Sequence, residues 1–154
     1  IVIEILPELP NNVHYLMCGD GQLKEQHERL AKKLHVSDRL HFLGYRKDVI
    51  KIMKSCDIFV FPSKREGLSV ALMEAMACGL PCVVSKIRGN EDLIENEKGG
   101  YCVDLENEKF NIYINKILEL GLSKSMSAFN YNKVSNYSIK KVNLKMREIY
   151  ERNE

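Results

Sequence analysis

The sequence predicts an open α/β fold: a doubly wound, mainly parallel sheet with helices on both faces. Three observations lead there. Short continuous apolar runs alternate with helix-forming stretches along the whole chain, the pattern of repeated β-α-β units. The best-defined unit, residues 56–90 (CDIFVFPSKREGLSVALMEAMACGLPCVVSKIRGN), reads strand, loop, helix, tight turn, strand, loop, so its strands are expected to be parallel with a right-handed crossover. Most of the glycines and unpaired polar residues collect at 19–21, 44–46, 62–69 and 86–90. Each of these loops follows a strand-like run, and open sheets bind ligands beyond the carboxyl ends of their strands.

In chain order, residues 1–9 are apolar and stop at Pro10-Asn11-Asn12, as the tail of a helix would. His14-Tyr15-Leu16-Met17-Cys18 is a strand that ends in Gly19-Asp20-Gly21. An amphipathic helix follows from about Gln22 to Leu34, with Leu23, His27, Leu30, Ala31 and Leu34 on one face. Leu40 to Leu43 is a strand with Gly44-Tyr45-Arg46 as its terminal loop, and 48–55 is a short helix carrying Val49, Ile52 and Met53 inward.

In the central unit, Ile58 to Phe61 is β-rich and continuously apolar, as expected for a strand covered on both faces. Pro62 ends it, because proline cannot donate to a ladder. Val70 to Cys78 is a helix rich in Ala, Leu, Met and Glu. Ser69 is its N-cap and Gly79 its C′ residue, with Pro81 preventing continuation. Cys82 to Val84 is the next buried strand. Asn90 is expected to cap a short helix over 91–95, and 101–103 is a last short strand. Residues 105–120 form a helix with apolar Phe110, Ile114, Ile117 and Leu118. From Ser123 the chain is polar helix punctuated by Phe129, Tyr131 and Tyr137. Ser138 opens a final amphipathic helix to about Arg152.

The bulk numbers favour one ordinary globular domain: 154 residues, 45% apolar, 29% charged. A net charge of +2 gives no general attraction to polyanions, so no nucleic-acid partner is expected. Five cysteines without a C-x-x-C read as buried, reduced thiols of a cytosolic protein. The four histidines show no metal-ligand spacing, so no metal site is expected. No apolar run approaches a membrane span. The chain has no initiator Met and starts inside an apolar segment, which suggests a fragment.

The chemistry gathers at Glu66 and Glu74, which have seven residues between them. Glu66 lies in the loop before the central helix and Glu74 about one turn inside it. The helix N-terminus between them offers free N–H groups and the positive end of a dipole, a place for a phosphate. A carboxylate one turn further in can accept hydrogen bonds from the cis-hydroxyls of a ribose. A nucleoside diphosphate laid across this loop has each end matched.

The ordered string E-G-L-S-V-A-L-M-E-A-M-A-C-G-L-P-C-V-V closely resembles the E-x7-E signature of the retaining glycosyltransferases of family four, which have the GT-B fold. The resemblance continues through Gly19-Asp20-Gly21, the run from Asp38 to Gly44, the run from Asp57 to Ser63, and Gly99-Gly100-Tyr101. It implies that the chain is the nucleotide-sugar-binding C-terminal half of such an enzyme. The second glutamate, Glu74, would bind the ribose hydroxyls and the first, Glu66, the hydroxyls of the donor sugar. This pair would position the donor in the catalytic site rather than transfer protons. Gly67, Leu68 and Ser69 would offer main-chain N–H groups to the sugar, and Val70 and Ala71 to the diphosphate. A side chain at Gly67 would block close approach. The loop Gly44-Tyr45-Arg46 would cup the base, with Tyr45 or Arg46 stacking on it. Gly19 is counted with the donor-binding residues, but Gly19-Asp20-Gly21 lacks the third glycine of a dinucleotide fingerprint, so NAD is not read from it. Arg88-Gly89-Asn90 lies near the phosphates by topology.

The activity implied is transfer of a hexose from a nucleotide sugar, a UDP-sugar by family frequency, to an acceptor hydroxyl with retention, in bacterial polysaccharide synthesis. No metal or other cofactor is implied. The partners are the nucleotide-sugar donor and a glycan or lipid-linked acceptor, bound through an N-terminal domain absent here. The place is the cytoplasm, with peripheral association of the full-length enzyme at the inner face of the membrane. The family's donor half begins with one further strand, whose loop bears a glycine, an Arg and a Lys that grip the diphosphate. Its absence would leave a hole beside the central unit. Two other readings stand beside this one: an inactive nucleotide-binding remnant, and a GT-B nucleotide-sugar epimerase, which the unbroken E-x7-E string disfavours.

Overall fold

Five parallel strands carry the fold: β1 (Tyr15–Cys18), β2 (Leu40–Gly44), β3 (Phe59–Phe61), β4 (Cys82–Ser85) and β5 (Gly100–Val103). The α-helices among the described residues are α1 (Val2–Ile5), α2 (Lys24–Lys33), α3 (Val49–Met53), α4 (Val70–Ala77), α5 (Arg88–Glu91), α6 (Asn107–Leu120), α7 (Ser123–Val134) and α8 (Ile139–Glu151). The computed structural model describes residues 1–121 and 123–151. The expected α/β alternation runs as far as β5, after which three α-helices follow one another. The final helix runs at least to Glu151, and its expected end at Arg152 lies outside the described residues.

The strands form two ladders rather than one continuous sheet, β1-β2 and β3-β4-β5. Tyr15 pairs with Leu40, Phe59 with Cys82, and Cys82 with Gly100. A shared apolar core nonetheless lies under both ladders. Ile3, Ile5 and Leu6, Ala31 of α2, and Phe110, Ile114 and Ile117 of α6 pack against Tyr15 and Met17 on one side, and against Ile58, Val60 and Val83 on the other. The opposite face holds Leu72, Ala75 and Met76 of α4 with Met53, Phe59, Phe61 and Val84. Alternate residues of β3 thus serve opposite faces, as a strand's period of two requires. β4 is buried along its whole length, whereas β3 is only half-buried. The expectation that Ile58 to Phe61 is covered on both faces holds, Ile58 and Val60 packing on one core and Phe59 and Phe61 on the other; the exposure comes from the side, because β3 is the edge of its ladder and borders an open cleft.

Local rules explain α4 well. Ser69 caps it, its Oγ accepting from the Leu72 amide at 3.3 Å. At the other end the Gly79 amide donates to Met76 (2.9 Å) and the Leu80 amide to Ala75 (3.0 Å), a Schellman closure with Gly79 at φ +76°. A methyl at Gly79 would also fall 2.3 Å from Ser127 Oγ of α7. Gly79→Ala should therefore cost about 1–2 kcal/mol, the left-handed penalty plus a displaced side chain. A chemical denaturation curve with an unchanged midpoint would contradict this.

Two local expectations fail. Asn90 is not a cap: it sits inside α5, fully buried, and Ile87 is the N-cap residue. Its Nδ2 donates to the Ser85 carbonyl at 2.9 Å instead. Nor is the region after Ser123 merely a polar helix. Met126 and Asn130 of α7 are buried, and Asn130 Nδ2 donates to the carbonyls of Leu80 (2.7 Å) and Gly99 (2.6 Å). That amide ties α7 to the chain entering β4 and to the chain entering β5.

All five cysteines are free thiols. Burial pushes Cys82 well above the usual thiol range and Cys102 up to about 11, the nearby Glu91 charge adding to the latter. Burial also raises Cys56 and Cys78. These four are protonated, unreactive thiols near neutral pH.

Candidate nucleotide-sugar site

A cleft of about 1240 Å³ opens between the two ladders. Its walls are the facing edges of β1 and β3, its base includes Leu6, Leu9 and Ile114, and Leu80 lies on the α4 side. Toward the carboxyl ends of the strands the lining becomes polar, with Gly19, Asp20, Tyr45 and Arg46 on one side and Pro62, Ala71 and Glu74 on the other.

The β1–β2 side is built by mutual support of two loops. The Gly19 amide donates to the Gly44 carbonyl at 2.8 Å. The Tyr45 amide donates to Asp20 Oδ2 at 3.2 Å. Gly44 turns at φ +62°, and a Cβ there would sit 3.5 Å from Asp20 Oδ1. Sequence reasoning placed both loops at the site but missed that Asp20 joins them, since nothing in a 25-residue separation signals it. Tyr45 projects into solvent, 75% exposed. Arg46 grips Asp48 in a fork, Nε to Oδ1 and Nη2 to Oδ2, both at 2.8 Å. The guanidinium hydrogen bonds hold the Asp48 carboxyl below its ordinary range, and Arg46 is raised in turn. Asp48 consequently makes no side-chain cap on α3. The fork leaves the faces of the guanidinium plane for stacking.

The α4 side presents the two glutamates differently. Glu74 is half-buried, lines the cleft one turn inside α4, and makes no hydrogen bond or ion pair among the described residues. Glu66 lies just outside the cleft lining and is engaged: Ser63 Oγ donates to Glu66 Oε1 at 2.8 Å. Between them Gly67, Leu68 and Val70 are exposed and Ser69 is buried as the cap. A Cβ at Gly67 would meet nothing within 4 Å, so that position faces open space. Of the residues singled out from sequence, the cleft brings Gly19, Tyr45, Arg46, Ala71 and Glu74 together. Glu66, Gly67, Leu68, Ser69, Val70 and Gly44 are not among the residues that line it. Ser63, Ser85 and Asn90 connect to Glu66 from behind; Ser63 and Asn90 fall in stretches singled out from sequence, but nothing there marked their link to Glu66.

Among the described residues, no group of three or more His, Cys, Asp or Glu side chains could hold a metal ion. No described helix is long and apolar enough to cross a membrane.

Residues 1–135 match the family described as "Glycosyl transferases group 1". The chain is 34% identical over 125 residues to an Escherichia coli enzyme, the UDP-Gal:α-D-GlcNAc-diphosphoundecaprenol α-1,3-galactosyltransferase. That match covers 80% of this chain and 32% of the enzyme, so the chain spans about a third of its relative's length. A Campylobacter jejuni N,N'-diacetylbacillosaminyl-diphospho-undecaprenol α-1,3-N-acetylgalactosaminyltransferase is 41% identical over 73 residues, 47% of this chain and 19% of that one. In three dimensions the chain is similar to Anabaena HepE solved with UDP-glucose, with a TM-score of 0.88 and 25% identity, covering 97% of this chain and 44% of HepE. It is also similar to WaaG, a glycosyltransferase involved in lipopolysaccharide biosynthesis, with a TM-score of 0.78 and 26% identity, covering 86% and 38% of the two chains. Motif, fold and relatives agree: the chain belongs to the group 1 glycosyl transferases, with the α/β architecture of a GT-B enzyme.

Proposed function

We propose that this chain is the donor-binding half of a retaining glycosyltransferase of bacterial polysaccharide synthesis. The observation that carries the reading is Glu74, a half-buried carboxylate without a protein partner among the described residues, facing the cleft one turn inside α4. An ionised group in that setting needs donors, and two vicinal ribose hydroxyls supply them. The diphosphate then lies at the α4 N-terminus, over the amides of Val70 and Ala71, where the helix dipole favours negative charge. The base reaches Tyr45 and the Arg46 plane. The sugar falls beside Glu66 and the amides of Gly67, Leu68 and Ser69. Uridine is the base of choice, since the Escherichia coli relative is named for UDP-Gal and HepE was solved with UDP-glucose.

In the transfer, the bond from the sugar's anomeric carbon to the diphosphate breaks with its electron pair on the departing phosphate oxygen. The acceptor oxygen bonds to the same face of that carbon, and the acceptor's hydroxyl proton passes to the departing phosphate oxygen. The α4 N-terminus stabilises the charge that grows on the leaving diphosphate. Glu74 and Glu66 fix the donor so that the reacting atoms are aligned. The reading calls for no metal or cofactor. A lipid-linked or glycan acceptor would be held by a separate N-terminal domain, at the cytoplasmic face of the membrane in the full-length enzyme. The cleft between β1 and β3 is where one further parallel strand of the donor half belongs.

Amide NMR titration of the chain with UDP and UDP-glucose tests this. Shifts at 19–21, 44–46 and 66–74 are expected. A folded spectrum unmoved by UDP, GDP and ADP would overturn it. Gly67→Val should weaken UDP-glucose more than UDP, by about tenfold, because a branched side chain would occupy the space beside the sugar. Equal losses for the two ligands would argue against close sugar approach there.

A further inference from the structure

We propose that Asn90 and Ser85 are positioning residues for Glu66, holding its loop and one of its carboxylate oxygens from inside the fold. The proposal rests on the reading of Glu66 as a donor-sugar ligand. A line of hydrogen bonds runs outward from the core. Asn90 is fully buried in α5. Its Nδ2 donates to the Ser85 carbonyl (2.9 Å) and to Ser85 Oγ (3.3 Å). A carbonyl can only accept, so the amide's nitrogen end must face Ser85. Ser85 Oγ is thereby an acceptor toward Asn90, and its own proton turns the other way. That proton donates to the Ser63 carbonyl, with the Phe61 carbonyl 3.5 Å from the same oxygen. Ser63 Oγ in turn donates to Glu66 Oε1. The Arg65 carbonyl lies 3.4 Å from the same hydroxyl, but the 2.8 Å contact to Glu66 is the shorter and takes its one proton, which leaves Glu66 Oε2 for a ligand.

A steric contact holds the same loop. A methyl at Gly89, one residue before Asn90, would lie 1.6 Å from the Gly67 carbonyl oxygen and 3.2 Å from that of Glu66. The α5 main chain therefore presses directly on the Glu66-Gly67 turn. Ser85 ends β4, the most deeply buried strand, so the loop is anchored to the stiffest part of the sheet. The arrangement carries a cost: Asn90 Oδ1 is buried with no partner among the described residues. An apolar residue of similar shape would pack there without that penalty. An amide that leaves its oxygen unpaired while donating twice to Ser85 fits a residue whose work is to orient Ser85.

The test uses the full chain and two readouts. Amide hydrogen exchange without ligand is the first. Ser85→Ala, and Asn90→Asp, which replaces the donor with an acceptor facing the Ser85 carbonyl, should speed exchange across 63–68 by about tenfold, the effect of one lost hydrogen bond. Exchange in α6 should be unchanged. Both variants folded, with exchange at 63–68 unaltered, would overturn the proposal. The second readout is the ratio of UDP-glucose to UDP affinity. Ser63→Ala, on the half-buried loop where folding is least at risk, should lower that ratio by about tenfold with UDP itself unaffected, and Ser63→Thr should restore it. Glu66→Gln is measured alongside. If Glu66→Gln lowers the ratio and Ser63→Ala does not, the positioning line is refuted. If Glu66→Gln leaves the ratio unmoved, the sugar role of Glu66 fails, and the exchange result still decides whether Asn90 and Ser85 hold the loop.

Discussion

A peptide carrying five consecutive Val, Ile or Leu residues between flanking lysines should bind the chain and raise its melting temperature. The physical basis is the pair of open edges facing the cleft. In β1 the Tyr15 amide bonds Arg39 and the Gly19 amide bonds Gly44, so alternation turns Leu16 and Cys18 away from β2 and toward the cleft. In β3 the Phe59 amide bonds Pro81, which turns Ile58 and Val60 the same way. Both edges run parallel to their own ladders, and apolar side chains line the space between them. At 100-fold excess over its Kd the peptide should stabilise the fold by about 2.7 kcal/mol, or roughly 5–10 °C for a domain of this size. Hydrogen exchange at residues 16, 18, 58 and 60 should slow together. A peptide with proline at its centre lacks the ladder donor and should do neither. No shift with the apolar peptide would mean that the cleft is not a strand position.

The second large effect concerns Glu74. Glu74→Ala should weaken UDP binding about 100-fold, from two charge-assisted hydrogen bonds that together contribute about 3 kcal/mol. Glu74→Gln, which keeps the shape and drops the charge, should lose about tenfold. The melting temperature should stay close to that of the parent, since the side chain is half-buried and bonded to nothing in the described protein. Isothermal titration of the three proteins side by side decides it, and equal affinities would remove the ribose assignment.

The order of elements was legible because its signals are local. Ser69, Gly79 and Pro81 punctuate α4 within a few residues, and each apolar run names its own strand. What escaped was carried by contacts across long stretches of chain. Asn130 reaches back 50 residues to Leu80, and α7 has no apolar stripe to announce that one of its faces is buried. Asn90 looked like a cap because asparagine favours that place, but the Ser85 carbonyl, an unmet acceptor inside the fold, claimed its amide. The half-burial of β3 beside the cleft was not legible either, because a continuous apolar run says nothing about which strand of a ladder is its edge. At the site, the glutamates and glycines were singled out by resemblance to a family's ordered string, whereas the hydrogen bonds that join Asp20 to Tyr45 and Ser85 to Ser63 link residues far apart in the chain and have no local signal.

The division of the strands into two ladders also bears on how the molecule opens and closes. Main-chain hydrogen bonds couple β3, β4 and β5 to one another but do not extend to β1 and β2 among the described residues. Packing of side chains in the shared core joins the two groups instead. Cooperative units of native structure tend to follow such seams. The two-stranded ladder, with neither strand buried along its length, should therefore exchange its amides faster than the three-stranded ladder built around fully buried β4, and native-state hydrogen exchange with equal protection in both would count against such a seam.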